Sequence, residues 1–126
     1  METKDNNTTH HAFIIDDEAD ICFLLSNVLK QQHIASEYAF SLKDAGQAMK
    51  GKEPEIIFLD NHLPDGLGIN YISRLKEEHP SSKIVMVTAH DTDADRENAL
   101  KAGADFFIGK PFSRDAIYNV VNTCIA

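Results

Sequence analysis

Four short apolar runs, each ending at a residue able to do chemistry, constrain this chain more than any other feature. Ala12-Phe13-Ile14-Ile15 ends at Asp16-Asp17, and Ile56-Ile57-Phe58-Leu59 ends at Asp60. Ile84-Val85-Met86-Val87 ends at Thr88, and Phe106-Phe107-Ile108 ends at Gly109-Lys110-Pro111. Such runs lack the polar alternation of a strand with one wet face. They suit strands covered on both sides, as in a parallel sheet. A weaker strand is expected over residues 34–38.

Helical patterns separate the runs. Ile21, Leu24, Leu25, Val28 and Leu29 follow the stripe of an amphipathic helix. Ser41, with Asp44 three residues on, opens a second helix whose apolar side is thin: Leu42, Ala45, Ala48 and Met49. A third is expected over 67–78, carrying Leu67, Tyr71, Ile72 and Leu75 and stopped by Pro80. A fourth spans 94–102 and closes at Gly103. Ser113 caps a fifth, which turns Ile117, Val120, Val121 and Cys124 inward. The alternation predicts an α/β fold of about five βα units wound into one parallel sheet with right-handed crossovers. A chain of 126 residues holds one such domain, read as 10–126, with polar residues 1–9 as a mobile leader.

Composition removes several function classes. An apolar share of 43% is that of a folded chain. A net charge of −8 argues against direct binding to nucleic acid or anionic membrane. No apolar run approaches the ~18 residues of a membrane span, and the start of the chain lacks a signal-peptide core, so a cytoplasmic location is expected. The two cysteines, Cys22 and Cys124, lie in helical patterns without zinc spacing. They are expected to be buried thiols in a reducing compartment.

Open parallel sheets bind ligands outside the carboxyl ends of their strands. That rule gathers Asp16, Asp17, Asp60, Thr88 and Lys110 at one rim. Three carboxylates so close cannot all stay ionised without help: some pKa values rise, or a cation binds. Oxygen-only ligands favour a hard ion, Mg²⁺, which keeps several waters and prefers phosphate oxygens. Lys110 adds an ammonium and Thr88 a hydroxyl. With Mg²⁺ they would balance the three equatorial oxygens of a transferring phosphoryl group, a reaction that needs positioning and charge neutralisation above all. Asp60, at the end of the middle strand, is the expected nucleophile, forming an aspartyl phosphate.

These residues resemble the receiver domain of two-component response regulators. The segments that carry the resemblance are Phe13-Ile14-Ile15-Asp16-Asp17-Glu18, Ile57-Phe58-Leu59-Asp60 with Leu63-Pro64-Asp65-Gly66, Val87-Thr88-Ala89, Ala102-Gly103-Ala104-Asp105 and Gly109-Lys110-Pro111-Phe112. The resemblance implies a flavodoxin-like doubly wound five-stranded parallel sheet, (βα)5. It implies Asp60 as phosphoacceptor, Asp17 as direct metal ligand, Asp16 acting largely through water, and the backbone carbonyl of His62 as the remaining ligand. Lys110 would contact the phosphoryl group and be followed by a cis peptide to Pro111. Thr88 and Phe107 would form the switch. Phe107 stands where the family often has tyrosine, so its burial, without a hydroxyl, must carry the signal; Phe106 and Phe112 are expected in the core. His62 and His90 occupy positions that tune self-dephosphorylation in the family, and here they are expected to gate water and make hydrolysis pH-sensitive.

Three rival readings fit less well. A cobalamin-binding domain could use Asp60-Asn61-His62, but the next glycine, Gly66, falls one residue late and Asp16, Asp17 and Lys110 would be idle. An Asp-nucleophile phosphohydrolase of the haloacid-dehalogenase type wants an acid two residues after Asp60, where His62 stands. A flavodoxin would need a hydroxyl- and glycine-rich loop where Asp16-Asp17-Glu18 would repel phosphate. By the resemblance the expected donor is a sensor histidine kinase or a histidine phosphotransfer protein. The output is a protein contact around 94–102 and 106–108, by a stand-alone regulator or a piece of a longer one. Asp91, Asp93 and Asp95 make that face acidic and favour a basic patch on the target.

Overall fold

The computed structural model describes residues 10–125. The strands are β1 (His10–Ile15), β2 (Ile34–Ala39), β3 (Ile56–Leu59), the short pair β4 (His62–Leu63) and β5 (Gly66–Leu67), then β6 (Lys83–Thr88) and β7 (Phe106–Gly109). The helices are α1 (Ala19–Gln31), α2 (Leu42–Ala48), α3 (Ile72–Glu78), α4 (Asp93–Lys101) and α5 (Arg114–Ile125). Five strands form one parallel sheet in the order β2-β1-β3-β6-β7. The chain runs outward from β1 to β2, then returns past β1 to β3, so the winding reverses between β1 and β3. This is the doubly wound parallel sheet the apolar runs predicted, in the flavodoxin-like form the resemblance implied.

Alternate residues of each central strand enter different cores. Ala12, Ile14, Ile56, Phe58, Val85 and Val87 pack with Cys22, Leu25, Leu29 and Ile117 of α1 and α5. Phe13, Ile15, Ile57, Leu59, Ile84 and Met86 pack with Leu42, Ile72, Leu75 and Ala99 of α2, α3 and α4. Period-two side-chain geometry therefore explains why the runs are apolar without a break: both faces are dry.

The helices differ from expectation in instructive places. Residues 67–71 are not α-helical: Leu67 pairs with His62, and Gly68–Tyr71 form a 3-10 turn before α3 begins at Ile72. The cause is Gly68, whose N–H is held by Asn61 O at 2.7 Å and whose Cα lies where a side chain would collide with the Asp60 backbone carbonyl. Leu24 is exposed and Ile21 half-buried; the buried stripe of α1 runs through Cys22, Leu25, Val28 and Leu29 instead. Ala48 is exposed as well, leaving Met49 to fill the core behind α2. Phe106, Phe112 and Cys124 are half-buried, at the margin of the core. Cys22 is fully buried, and burial pushes both free thiols up to about 11.

The caps fall as the sequence indicated. Ser41 Oγ accepts the Asp44 N–H at 3.1 Å, and Ser113 Oγ accepts the Ala116 N–H at 3.1 Å. Gly103, at φ 115°, lets Ala104 N–H reach Ala99 O at 3.0 Å, ending α4 in a Schellman turn. The leader expected over 1–9 lies outside the described residues.

Candidate functional site

β1 and β3 are adjacent and in register, with Ile15 beside Leu59, so the residues that follow them emerge together at the point where the winding reverses. There the carboxylates of Asp16, Asp17 and Asp60 each offer an oxygen within 4.8 Å of the others. Asp16 and Asp60 are buried, at 2% and 6% exposure, while Asp17 faces solvent. Each buried acid is aimed by its own loop: Asp16 Oδ1 accepts the Glu18 N–H and Asp60 Oδ1 the Asn61 N–H, both at 2.9 Å. Asp17 makes no side-chain hydrogen bond among the described residues.

Lys110 reaches in from the end of β7. Its Nζ lies 2.9 Å from Asp16 Oδ2, 2.7 Å from Glu18 Oε1 and 3.7 Å from Asp60 Oδ1. The Lys110–Pro111 peptide is cis, as expected. Burial raises the Asp60 carboxyl to about 6, helped by the negative charge of Asp16 and opposed by Lys110. Burial likewise raises Asp16, against the hydrogen bond from Lys110. For Lys110 burial acts downward, but hydrogen bonds to Glu18 and Asp16 and the charge of Asp60 outweigh it and hold the ammonium firmly charged. One cation therefore faces three clustered acids and Glu18, leaving the pocket short of positive charge. That deficit, with oxygen donors only, fits a hard divalent ion held by Asp16, Asp17 and Asp60.

Thr88 is buried at the end of β6, beside Gly109 of β7. Its hydroxyl accepts the His90 N–H at 3.3 Å, and Lys110 N–H donates to Thr88 O at 2.9 Å. Thr88, Phe107, Asn61, Ile69 and Asn98 line a cavity of about 200 Å³ under α4. The Phe107 ring is buried, and the guanidinium of Arg96 stacks over it at 5.0 Å while Nη1 lies 3.5 Å from Phe107 O. His62 and His90, two residues past Asp60 and Thr88, are exposed, with ring centres 4.3 Å apart.

The structure thus brings Asp16, Asp17, Asp60 and Lys110 into one cluster and sets Thr88 on the neighbouring strand beside Phe107. It also shows residues the sequence reading passed over. Glu18 stands at the N-cap of α1 yet does not cap it; its carboxylate goes to Lys110 instead. Asp65 accepts the N–H groups of Leu42 and Lys43, both at 2.9 Å, which ties the loop after β3 to the start of α2 and holds its carboxyl below the usual range. The Asp91 carboxylate packs where a side chain at position 109 would sit, so Gly109 leaves it room. The only signal for Asp65 was its place in Pro64-Asp65-Gly66, which reads as a turn.

Fold and site together define a flavodoxin-like α/β domain with an acid–lysine pocket at its strand ends. A family model for the response regulator receiver domain matches residues 12–122, and the chain belongs to that family. It is 31% identical over 114 residues to the response regulator protein PilR of Pseudomonas aeruginosa, covering 90% of this chain but 26% of PilR. Among solved structures, a two-component response regulator from Clostridium difficile matches with a TM-score of 0.87 at 26% identity, over 92% of this chain and 95% of that one. A response regulator protein from Burkholderia pseudomallei, solved with a phosphorylated aspartic acid, calcium ion and citrate, matches at 0.80 and 26% identity, over 86% of this chain and 64% of that one. The chain thus spans about a quarter of PilR's length.

Proposed function

We propose that this receiver domain accepts a phosphoryl group on Asp60 from a phosphohistidine of a sensor kinase or phosphotransfer protein, in a Mg²⁺-dependent step. The observation that carries the reading is the single ammonium of Lys110 set 3.7 Å from Asp60 and 2.9 Å from Asp16, within a trio of carboxylates short of positive charge. An Asp60 oxygen attacks phosphorus, the phosphorus–nitrogen bond breaks, and the leaving imidazole takes a proton. Asp16, Asp17, Asp60 and the His62 carbonyl would hold Mg²⁺, which would supply charge neutralisation for the transferring group. Lys110 exchanges its ion pair with Asp16 for a phosphoryl oxygen, and Thr88 turns its hydroxyl to another. Phe107 and the cavity beneath α4 then take up the displacement, altering the surface of α4 and β7. The calcium ion and phosphorylated aspartate of the Burkholderia relative support this chemistry. The domain acts by signalling in the cytoplasm, through a protein target and without direct nucleic-acid contact, and its self-catalysed transfer and hydrolysis are its only chemistry.

His62 and His90, at the rim, shield the aspartyl phosphate from water; alanine at either position shortens its lifetime, measured by decay of the phosphorylated mass. The deciding experiment weighs the intact protein after incubation with acetyl phosphate, with and without Mg²⁺. A gain of one phosphoryl group that needs Mg²⁺ and is absent from Asp60→Ala supports the assignment. A gain that persists in Asp60→Ala, or none with Mg²⁺ present, overturns it.

A further inference from the structure

We infer that His62 and His90 form a second metal site, a two-imidazole clamp for a borderline divalent ion such as Zn²⁺, across the mouth of the pocket. The two rings come from different segments, His62 from the short strand β4 and His90 from the loop following β6, yet their centres stand 4.3 Å apart with planes tilted by 39°. Both side chains are exposed, so an ion reaches them without opening the core. Two imidazoles bound to one tetrahedral zinc place their ring centres about 5 Å apart, given Zn–N bonds of about 2.0 Å. Rotation about the side-chain bonds, open to exposed rings, would widen the separation by about 1 Å and turn one nitrogen of each ring toward a shared ion. Water completes the coordination.

Ligand chemistry separates this site from the acid trio. Imidazole nitrogen suits Zn²⁺, Cu²⁺ and Ni²⁺, whereas carboxylate oxygen suits Mg²⁺. The acidic surroundings raise the local concentration of any divalent cation. Bound there, the ion staples β4 to the loop after β6. The His90 N–H is hydrogen-bonded to Thr88 Oγ1, so the staple restrains the hydroxyl that must turn toward the phosphoryl group, and it narrows the donor's approach to Asp60. Binding at the clamp stands on its geometry alone; the resulting block of phosphorylation rests on the assignment of Asp60 above.

Calorimetric titration with zinc chloride, in a large excess of Mg²⁺, tests the clamp directly. One zinc per chain is expected, weakened more than about 100-fold in His62→Ala and in His90→Ala and unchanged in His11→Ala. Both rings are exposed, so the variants fold. Zinc binding that survives both rim variants, or that is abolished by Asp17→Asn, places the ion elsewhere and overturns the inference, as does no binding at all. The acetyl phosphate reaction, run with Mg²⁺ and zinc together, then reads the regulation: slowing in the native chain and none in His90→Ala is expected. Equal slowing in both removes the regulatory part while the calorimetry still decides the site.

Discussion

The two ends of the sheet treat their charged and polar groups in opposite ways. At the amino ends of the strands the buried and half-buried polar groups are paired, except Gln32 Oε1, which has no partner among the described residues. Lys76 Nζ meets Asp105 Oδ2 at 2.6 Å, and the same oxygen accepts the Ile84 N–H at 2.8 Å. His10 meets Glu55 at 2.6 Å, buried His79 donates to Lys52 O at 3.0 Å, and buried Ser82 donates to Pro54 O. At the carboxyl ends acids crowd acids, and burial with like charge pushes Asp60 up to about 6. One end is built for stability. The other holds like charges in tension, which a bound cation would relieve.

The largest expected effect comes from removing the ammonium of Lys110 from the acid cluster. Lys110→Met should lower metal-free stability by about 3 kcal/mol, because it strips buried Asp16 and Asp60 of their counter-charge. Urea denaturation checks this, and Mg²⁺ should restore much of the loss. An unchanged midpoint without Mg²⁺ would mean that the acids are not in tension and that the contrast between the two ends is false.

Asp60→Asn should act in the opposite direction. The folded chain holds the Asp60 proton up to about pH 6, whereas an unfolded aspartate carboxyl ordinarily titrates at 3.8. The buried, protonated carboxyl therefore contributes stability that is fully present below about pH 4, fades as pH rises through 6, and stays absent above. Relative to Asp60→Asn, the native protein without metal should lose roughly 2–3 kcal/mol across that window. Parallel stability curves for the two proteins would show that burial does not strain Asp60.

Much of this architecture was legible because its causes are local or periodic. Uninterrupted runs such as Ile56-Ile57-Phe58-Leu59 announce a strand dry on both faces, and the acids follow directly from where those runs stop. The positions of Ser41, Ser113 and Gly103 announced helix ends. What escaped depends on distance in sequence. Glu18 stands directly before α1, yet the partner of its carboxylate, Lys110, lies 92 residues on. Asp65 caps a helix that precedes it by 23 residues. The missing first turn of α3 has the same origin: Leu67 and Tyr71 keep a helical spacing, but the close packing of Gly68 on Asp60 O overrides it. Thr92, which accepts the Asp95 N–H at 3.1 Å and donates to its carboxylate at 2.8 Å, was readable from Thr-x-x-Asp and was passed over.

At the satisfied end a single cut should weaken the fold and nothing else. Ser82→Ala leaves Pro54 O without its hydroxyl donor in a buried position and should cost about 1–2 kcal/mol. The rate and Mg²⁺ dependence of acetyl phosphate labelling should not change under conditions where the variant is folded. A change in labelling would show that the two ends are coupled, and the division of labour between them would fail.

The smallest effect sharpens where the switching end stops. Arg96 is exposed, and its guanidinium lies 5.0 Å from the centre of the buried Phe107 ring. A cation over an aromatic face at such a site contributes about 0.5–1 kcal/mol, and the Nη1 contact to Phe107 O at 3.5 Å is long enough to add little. Arg96→Ala should therefore shift the denaturation midpoint by no more than that energy. It should nevertheless free the ring above its cavity, seen as faster ring flips in the aromatic NMR signals of Phe107. If the ring is as immobile without Arg96 as with it, the walls of the cavity hold Phe107 unaided. The region under tension would then end at Thr88 rather than reaching α4.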